Sequence, residues 1–531
     1  MYSNTLVRYQ QPQNSKPSLI YCQFCKKYFY PIYFRRHLQF CSAYLRHTYQ
    51  QQQQGHALTW ERMETPKPPR RRRRISFQTN PGMFESLIKG KRVIIVGPST
   101  TVEECKLGEF IESFDVVIRL NKSLPVPPRL HAHIGARTDI LYNSLNQTDY
   151  PGENNINPIF LRNNRIRYLR CPYPPITPFK YDMQAFQSRN RGIVPFGHID
   201  HDYYRKMRYS LQTRPYTGTC AIADLLHCGV GELYVMGIDF YTYGYARYYR
   251  RVSKKKLQRM RNNNIHKRGP QIDLIKRFYL LDKRLIVDNI LDKILLEDYD
   301  TLFYNIQSQV EFGKIFISAN ETYLSPDSSL IQIREKAEKM ASKDMGMNKM
   351  SICIIGDLDP SSLNTDMYRR FDFIIDLFPD RHPPLPRSAD VAAFMSVRDW
   401  TPDVVPPDSY TMITQSFRKS FALRNDPRSY TGVDAEKTLF LNPLFAKYLR
   451  AILTQTVIAE GKISTEIFLA LIFSSFFADV ADIYVAHMDP YAQWNLHPAD
   501  QRQNAISQRM LYHYLLKREV IKIFNETPIS E

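Results

Sequence analysis

The chain has 531 residues, 43% of them hydrophobic and 23% charged, with a net charge of +20. That length accommodates two or three domains with cores of their own, and the balance excludes a wholly disordered chain. No run approaches the ~18 uncharged apolar residues of a membrane span, the start lacks the apolar stretch of a secretory leader, and the cysteines are too unevenly spread for an extracellular disulfide framework. These features predict an intracellular protein, cytoplasmic or nuclear, that is not secreted.

In chain order, the first element is "YCQFCKKYFYPIYFRRHLQFC" within residues 1–47. It spaces Cys22, Cys25, His37 and Cys41 as C-x2-C-x11-H-x3-C. A two-residue gap lets two thiolates share one ion, and a three-residue gap puts His37 and Cys41 on one face of a helix. With Phe29 and Phe34 as a small apolar core, the pattern predicts a ββα finger holding a structural zinc. Residues 48–81 are rich in Gln, Pro and Arg, including Arg70 to Arg74, and read as a linker. Residues 1–80 carry fourteen Lys/Arg against two acids, a net of +12, which suits nucleic acid or another polyanion. A solvated tether is the competing reading.

Residues 82–325 alternate strand-like and helix-like stretches. "RVIIVGPSTT" is an apolar run entering a polar loop, "TVEECKLGEFIES" has helical spacing, and "FDVVIRLN", "RTDILYNS" and "RIRYLRCPYP" are further strands. Then "RPYTGTCAIADLLHCGVGELYVMGIDFYTYG" opens a helix of small and apolar residues at Thr217, closes it near Gly229 and Gly231, and continues as a buried strand. This alternation predicts an α/β fold with a parallel, Rossmann-like sheet, whose loops and helix amino termini gather on one edge, where phosphates bind. From Arg247 to Arg268 the chain has ten Lys/Arg and no acid. Such a block covers an anionic ligand, attracts an acidic one, or is a mobile loop.

The stretch "VIIVGPS…FDVVIRLN…IGARTDILYNS" resembles the long sialyl motif of the family 29 glycosyltransferases, the eukaryotic-type sialyltransferases. "RPYTGTCAIADLLHCGVGELYVMGIDFY" resembles their short motif, and His266 lies where their late histidine falls. The resemblance covers about 82–300. It implies a GT-A-like variant of the Rossmann-like sheet and inverting transfer of a sugar from a CMP-sugar donor to a glycan or other hydroxyl acceptor, with no catalytic metal. Carried over by position, it implies that Gly97, Ser99 and Asn121 contact the donor nucleotide, that Thr217 and Gly218 hold its phosphate or cytidine, and that His266 is the general base. Pro98 replaces the family's Asn, and Gln271 stands where the family has Glu. The competing readings are a turn at Gly97, a capped loop at Asn121, an N-cap at Thr217 and an ordinary surface histidine at His266.

Residues 326–349 read as a helical linker. Beyond it, 350–531 repeats four blocks in the same order, "SICIIGDLDPSS", "RRFDFIIDLFPDRHPPLP", "ISTEIFLALIFSSFFADVADIYVAHMDPY" and the stretch after His497. This predicts a degenerate second copy of the domain: Asp357 follows the loop glycine, and Asp376 and Phe378 replace Arg119 and Asn121. The expected function is a sialyltransferase-like glycosyltransferase. The alternative is a non-enzymatic nucleic-acid-binding or structural protein that retains the fold.

Overall fold

The structure, a computed structural model, describes residues 20–22, 27–29, 79–145, 156–176, 179–249, 252–262, 265–311, 316–318, 328–343, 349–355, 370–376, 391–394, 410–413, 438–441, 465–477, 479–486 and 499–524. The chain forms two compact units, Met1–Ser76 and Phe77–Glu531. In the first, β1 (Ile20–Cys22) pairs antiparallel with β2 (Lys27–Phe29), and Cys22 faces Lys27 across the pair. Cys25, His37 and Cys41 lie outside the described residues, as does Phe34.

The second unit begins with helix α1 (Pro81–Ile88) and a seven-stranded sheet. Its strands are β3 (Arg92–Val96), β4 (Val116–Leu120), β5 (Ile140–Tyr142), β6 (Tyr168–Cys171), β7 (Phe196–His198), β8 (Glu232–Met236) and β9 (Leu285–Val287), in the order β7-β6-β5-β4-β3-β8-β9. Every pairing is parallel. Parallel strands are covered on both faces, which is why β3 after Arg92 and β4 are apolar runs interrupted only by Arg119. The chain runs outward from β3 through β7, then returns to place β8 on the other side of β3. The carboxyl ends of β3 and β8 therefore flank the point where the winding reverses, the crevice in which such sheets bind ligands.

The intervening helices are α2 (Gly108–Glu112), α3 (His131–Ile134), α4 (Pro158–Asn163), α5 (Phe179–Asn190), α6 (His201–Leu211), α7 (Thr217–His227), α8 (Lys254–Arg261), α9 (Arg268–Leu281), and, after β9, α10 (Asn289–Glu311). The helical spacing of 101–113 becomes a 3-10 turn at Thr100–Val102 followed by the short α2. Lys106 adopts φ 48°, and Gly108 lies so close to the His131 carbonyl that a Cβ would meet it at 2.2 Å. The left-handed backbone at Lys106 breaks a continuous helix.

The second sheet contains β10 (Phe316–Ser318), β11 (Met350–Ile355), β12 (Phe373–Asp376), β13 (Val391–Phe394), β14 (Tyr410–Ile413), β15 (Thr438–Leu441), β16 (Ala481–Ala486) and β17 (Lys522–Ile523), with helices α11 (Ser328–Lys343), α12 (Thr465–Phe477) and α13 (Ala499–Lys517). Its order is β10-β15-β14-β13-β12-β11-β16-β17. Apart from the antiparallel edge strand β10, this is the connectivity of the first sheet. β10 precedes the expected boundary at 325, yet it pairs with β15 of the second sheet.

The two sheets also match in register. Val96 pairs with Arg119 and Met236, and Ile355 with Asp376 and Ala486. At the strand entrances, Asp115 accepts the Arg92 N–H at 2.8 Å, as Asp372 accepts that of Ser351.

One apolar core spans both sheets, including Ile275, Tyr299 and Leu302 beside Leu471, Phe473 and Leu515. α9 packs on α13, and α10 packs on α12. Arg518 clasps Asp292 and Asp300 of α10, each at 2.7 Å.

A buried pair fixes α7 to the first sheet. Arg170 of β6 donates from Nε and Nη2 to the two oxygens of Asp224, each at 2.9 Å, and the Tyr142 hydroxyl of β5 donates to the same carboxylate at 2.8 Å. Burial disfavours the Arg170 charge, but the Asp224 carboxylate more than compensates and raises its pKa. Asp224→Ala leaves that guanidinium in the core without its partner, so it should cost about 3–5 kcal/mol. Chemical denaturation of the full chain measures the loss, and a change under ~1 kcal/mol would contradict the role given to this pair.

Candidate functional site

The cleft at the winding reversal opens to solvent. Its wall draws on the loops after β3 (Pro98, Ser99), β4 (Asn121) and β8 (Gly237 to Tyr241), on the first turn of α7, and on Tyr245 and Tyr249.

The first turn of α7 is its most reactive feature. The N-cap position is Tyr216, whose side chain makes no cap, and the first helical bond runs from the Cys220 N–H to the Tyr216 carbonyl. The N–H groups of Thr217, Gly218 and Thr219 are therefore the unpaired donors of a helix start, at the positive end of its dipole. Thr219 is 1% exposed, lines the cleft, and its hydroxyl has no partner among the described residues. An unpartnered buried hydroxyl is costly, and here it stands beside three free amides.

Arg119 lies one residue before the cleft wall on β4. It is fully buried, bonding Thr138 Oγ1 at 3.0 Å and the Ile134 and Gly135 carbonyls at 2.5 and 3.1 Å. Its Nη1 has no partner among the described residues, and burial pushes its pKa down to about 10. At neutral pH it remains a cation held by neutral oxygens, adding positive potential at this edge.

Asn121 bridges the cleft floor. Its Nδ2 donates to Thr217 Oγ1 at 3.3 Å, and its Oδ1 accepts the Ser144 N–H at 3.2 Å. It adopts φ 51°, and Phe240 and Tyr241 on the opposite wall adopt 48° and 66°. Left-handed backbone at non-glycine residues is strained and persists where surrounding contacts enforce it. The enforcing group is Asp239. It accepts the N–H of Tyr241, Tyr243 and Gly244 at 2.9, 2.8 and 3.0 Å, and the Ser99 hydroxyl at 3.0 Å.

Ser99 is thus turned toward Asp239. The backbone of its loop is engaged too: Gly97 N–H bonds Met236 O, Ser99 N–H bonds Gly237 O, and Thr100 N–H bonds Gly244 O. Gly97 does not line the cleft. A Cβ there would meet the Gly237 carbonyl at 2.2 Å, so glycine is required for the loops after β3 and β8 to touch. The "GPS" loop thus contacts the loop after β8 while Pro98 and Ser99 also line the cleft.

His266 is one ring removed from the cleft. It stacks on Tyr216, which lines the wall, with ring centroids 5.1 Å apart and planes 14° apart. Its Nδ1 lies 2.8 Å from the Arg214 carbonyl, and its Nε2 lies 3.2 Å from Arg214 Nε. The carbonyl can only accept and Nε only donate, which sets the Nδ1–H tautomer. Gln271, fully buried, completes this support by accepting the Tyr216 N–H at 3.2 Å and donating to the Arg214 carbonyl at 3.1 Å. Asp239 was absent from the site expected from the sequence, where the run of loop residues after it ending at Gly244 was the available sign; Gln271 was noted there only as the residue standing where the resembled family has Glu.

Of the expected donor residues, the structure brings Ser99, Asn121, Thr217 and Gly218 to the cleft and leaves Gly97 behind it. The described residues contain no group of His, Cys, Asp and Glu able to hold a metal, and no helix among them is long and apolar enough to cross a membrane.

Fold and crevice together are those of a doubly wound, Rossmann-like α/β protein. Among solved structures, the chain is similar to a mammalian sialyltransferase, with 17% identity over 40% of this chain and 73% of that one and a TM-score of 0.27. It is also similar to the sialyltransferase CstII from Campylobacter jejuni in complex with the substrate analogue CMP-3FNeuAc, with 18% identity over 39% and 85% and a TM-score of 0.27. For Cst-I of the same organism, a monofunctional alpha-2,3-sialyltransferase, the values are 14%, 43%, 79% and 0.26. No family model matches the sequence, and no curated protein matches it.

Gly97, behind the cleft, and Gly218, in its wall, should differ under substitution. Gly97→Ala drives a Cβ into the Gly237 backbone and should cost about 1–3 kcal/mol or more. Gly218→Ala meets only the end of the Ile238 side chain, at 3.0 Å, and should cost less than ~1 kcal/mol. Parallel denaturation curves test this, and equal losses would refute the loop-contact role of Gly97.

Proposed function

We propose that this cleft binds the phosphate of a CMP-sugar at the amino terminus of α7 and that the protein is a sialyltransferase-like, inverting glycosyltransferase. The observation carrying this reading is the buried, unpartnered Thr219 hydroxyl beside the free N–H groups of Thr217 and Gly218. Phosphate oxygens would accept from all of these groups, and the helix dipole and Arg119 would favour the negative charge. Asn121 would fix the position of Thr217. Tyr241, Tyr245 and Tyr249, in successive ring contact at 5.6 and 4.8 Å, offer flat surfaces to a base or sugar.

In the transfer, an acceptor oxygen forms its bond to the anomeric carbon as the bond to the CMP phosphate breaks, and CMP leaves with the electron pair. The acceptor proton would go to His266 Nε2. That nitrogen now accepts from Arg214, so the base is free only when the Arg214 guanidinium turns to another partner, such as the bound anion. The pairing of both His266 nitrogens favours one other reading, a protein that binds a nucleotide without turning it over.

Calorimetry with CMP and CMP-sialic acid tests the binding that both readings require, and a turnover assay separates them. Thr219→Val should stabilise the free chain by ~1 kcal/mol, because an unpaired buried hydroxyl is removed, and weaken CMP binding roughly tenfold or more. Gly218→Val should abolish binding with the fold retained. His266→Ala should lower turnover about 10²–10⁴-fold with donor affinity nearly kept. Unaltered CMP binding by both cleft variants would refute a phosphate at α7, and binding without turnover would select the second reading.

At the amino terminus, Cys22, Cys25, His37 and Cys41 are proposed to bind one structural zinc. The strand pair β1–β2, with Cys22 at the end of β1, supports this reading, because a finger's first two ligands sit at such a pair. Metal analysis should return about one zinc per chain, and chelation should unfold the segment. A zinc-free purified protein would refute it. The shared connectivity and register of the two sheets likewise support an internal duplication, with 350–531 as the degenerate copy.

A further inference from the structure

The acid-free basic segment expected from the sequence forms part of the cleft rim, and α8 within it departs from two local rules. No residue of α8 is buried, although short helices normally depend on an apolar face. Its first turn is Lys254-Lys255-Lys256, three cations at the end where the helix dipole opposes positive charge. Local rules broken in a stable element are expected at functional sites.

The helix is held by the cleft loop and by its cap. Arg261 donates from Nε to the Tyr241 carbonyl at 2.7 Å and from Nη2 to the Thr242 carbonyl, Leu257 lies against Gly244, and Ser253 Oγ accepts the Lys256 N–H at 3.3 Å. Lys254, Lys255, Lys256 and Arg259 remain exposed. In the loop that Arg261 and Leu257 of α8 contact, Tyr243 is 54% exposed although its backbone is fixed by Asp239 at 2.8 Å. Exposed cations next to an aromatic ring held in water match a ligand with repeating negative charge and accessible flat faces. An acidic protein would use the charges but not the ring, and a duplex hides its base faces.

We propose that this rim binds a single-stranded polynucleotide, with phosphates on the α8 cations and a base stacked on Tyr243. The proposal does not rest on the transferase reading and concerns a surface distinct from residues 1–80.

The test uses the full chain and an oligothymidylate of about 20 nucleotides. Photo-crosslinking of its bromodeoxyuridine analogue should map to peptides containing Tyr243 or α8. In fluorescence anisotropy, joint replacement of Lys254, Lys255, Lys256 and Arg259 by Gln should weaken binding roughly tenfold or more and reduce the log–log salt slope by about 3. Tyr243→Ala should weaken the single strand about fivefold or more and leave a duplex of the same length unaffected. Crosslinks confined to residues 1–80 would overturn the proposal. So would a silent Tyr243→Ala together with equal loss of polyglutamate binding in the α8 variant, which would identify an acidic protein as the partner.

Discussion

The Asp224 carboxylate enters the core of the first sheet to meet Arg170 and Tyr142, and the geometry of the cleft depends on that meeting. Asp224 lies seven residues along α7 from Thr217, about 10 Å at the rise of a helix. Fixing this point to β5 and β6 fixes the direction of the helix, and Asn121 then holds its first residue from β4. A buried ion pair contributes little net stability compared with an apolar replacement. Its contribution here is position: a helix of small residues such as Gly218, Ala221 and Ala223 could slide on the sheet, and the bidentate contact selects one placement.

With α7 placed, the opposite wall has to reach it, and that requires strain. The loops after β3 and β8 touch through Gly97 and Gly237, and Asp239 gathers three backbone N–H groups and the Ser99 hydroxyl. Phe240 and Tyr241 accept left-handed backbone as a result, at a cost on the order of 1–3 kcal/mol each. Arg261 and Arg268 take up the carbonyls of those residues, so their polar groups are not left unpaired. An aromatic wall thus faces an uncapped helix start.

The second sheet repeats the scaffold without the charge. Its first strand pairs in the same register, yet the position of Arg119 is occupied by Asp376. Its corresponding helix opens with Thr465-Glu466 where α7 opens with Thr217-Gly218. What the second half supplies to the first is mechanical: α13 packs along α9, and Arg518 secures α10. α9 begins two residues after His266 and carries Gln271, so the support behind the cleft extends into the second sheet.

Strands β3, β4, β5, β6 and β8 were legible because parallel strands covered on both faces are written as apolar runs, whereas the three-residue edges β7 and β9 carry too little pattern to read. Thr217, Gly218 and Asn121 were named through the motif resemblance, and the topology agrees, because it sends the ends of parallel strands and the starts of their helices to one edge. Gly97 and Ser99 show the limit. A glycine that admits a phosphate and a glycine that admits another backbone satisfy the same steric condition, and a serine hydroxyl suits a ligand or an aspartate equally well. Which partner it meets depends on Asp239, 140 residues away from Ser99. His266 carries the same lesson into chemistry: its residue type announces a possible base, but whether a nitrogen is available depends on Arg214, which reaches it only through the fold.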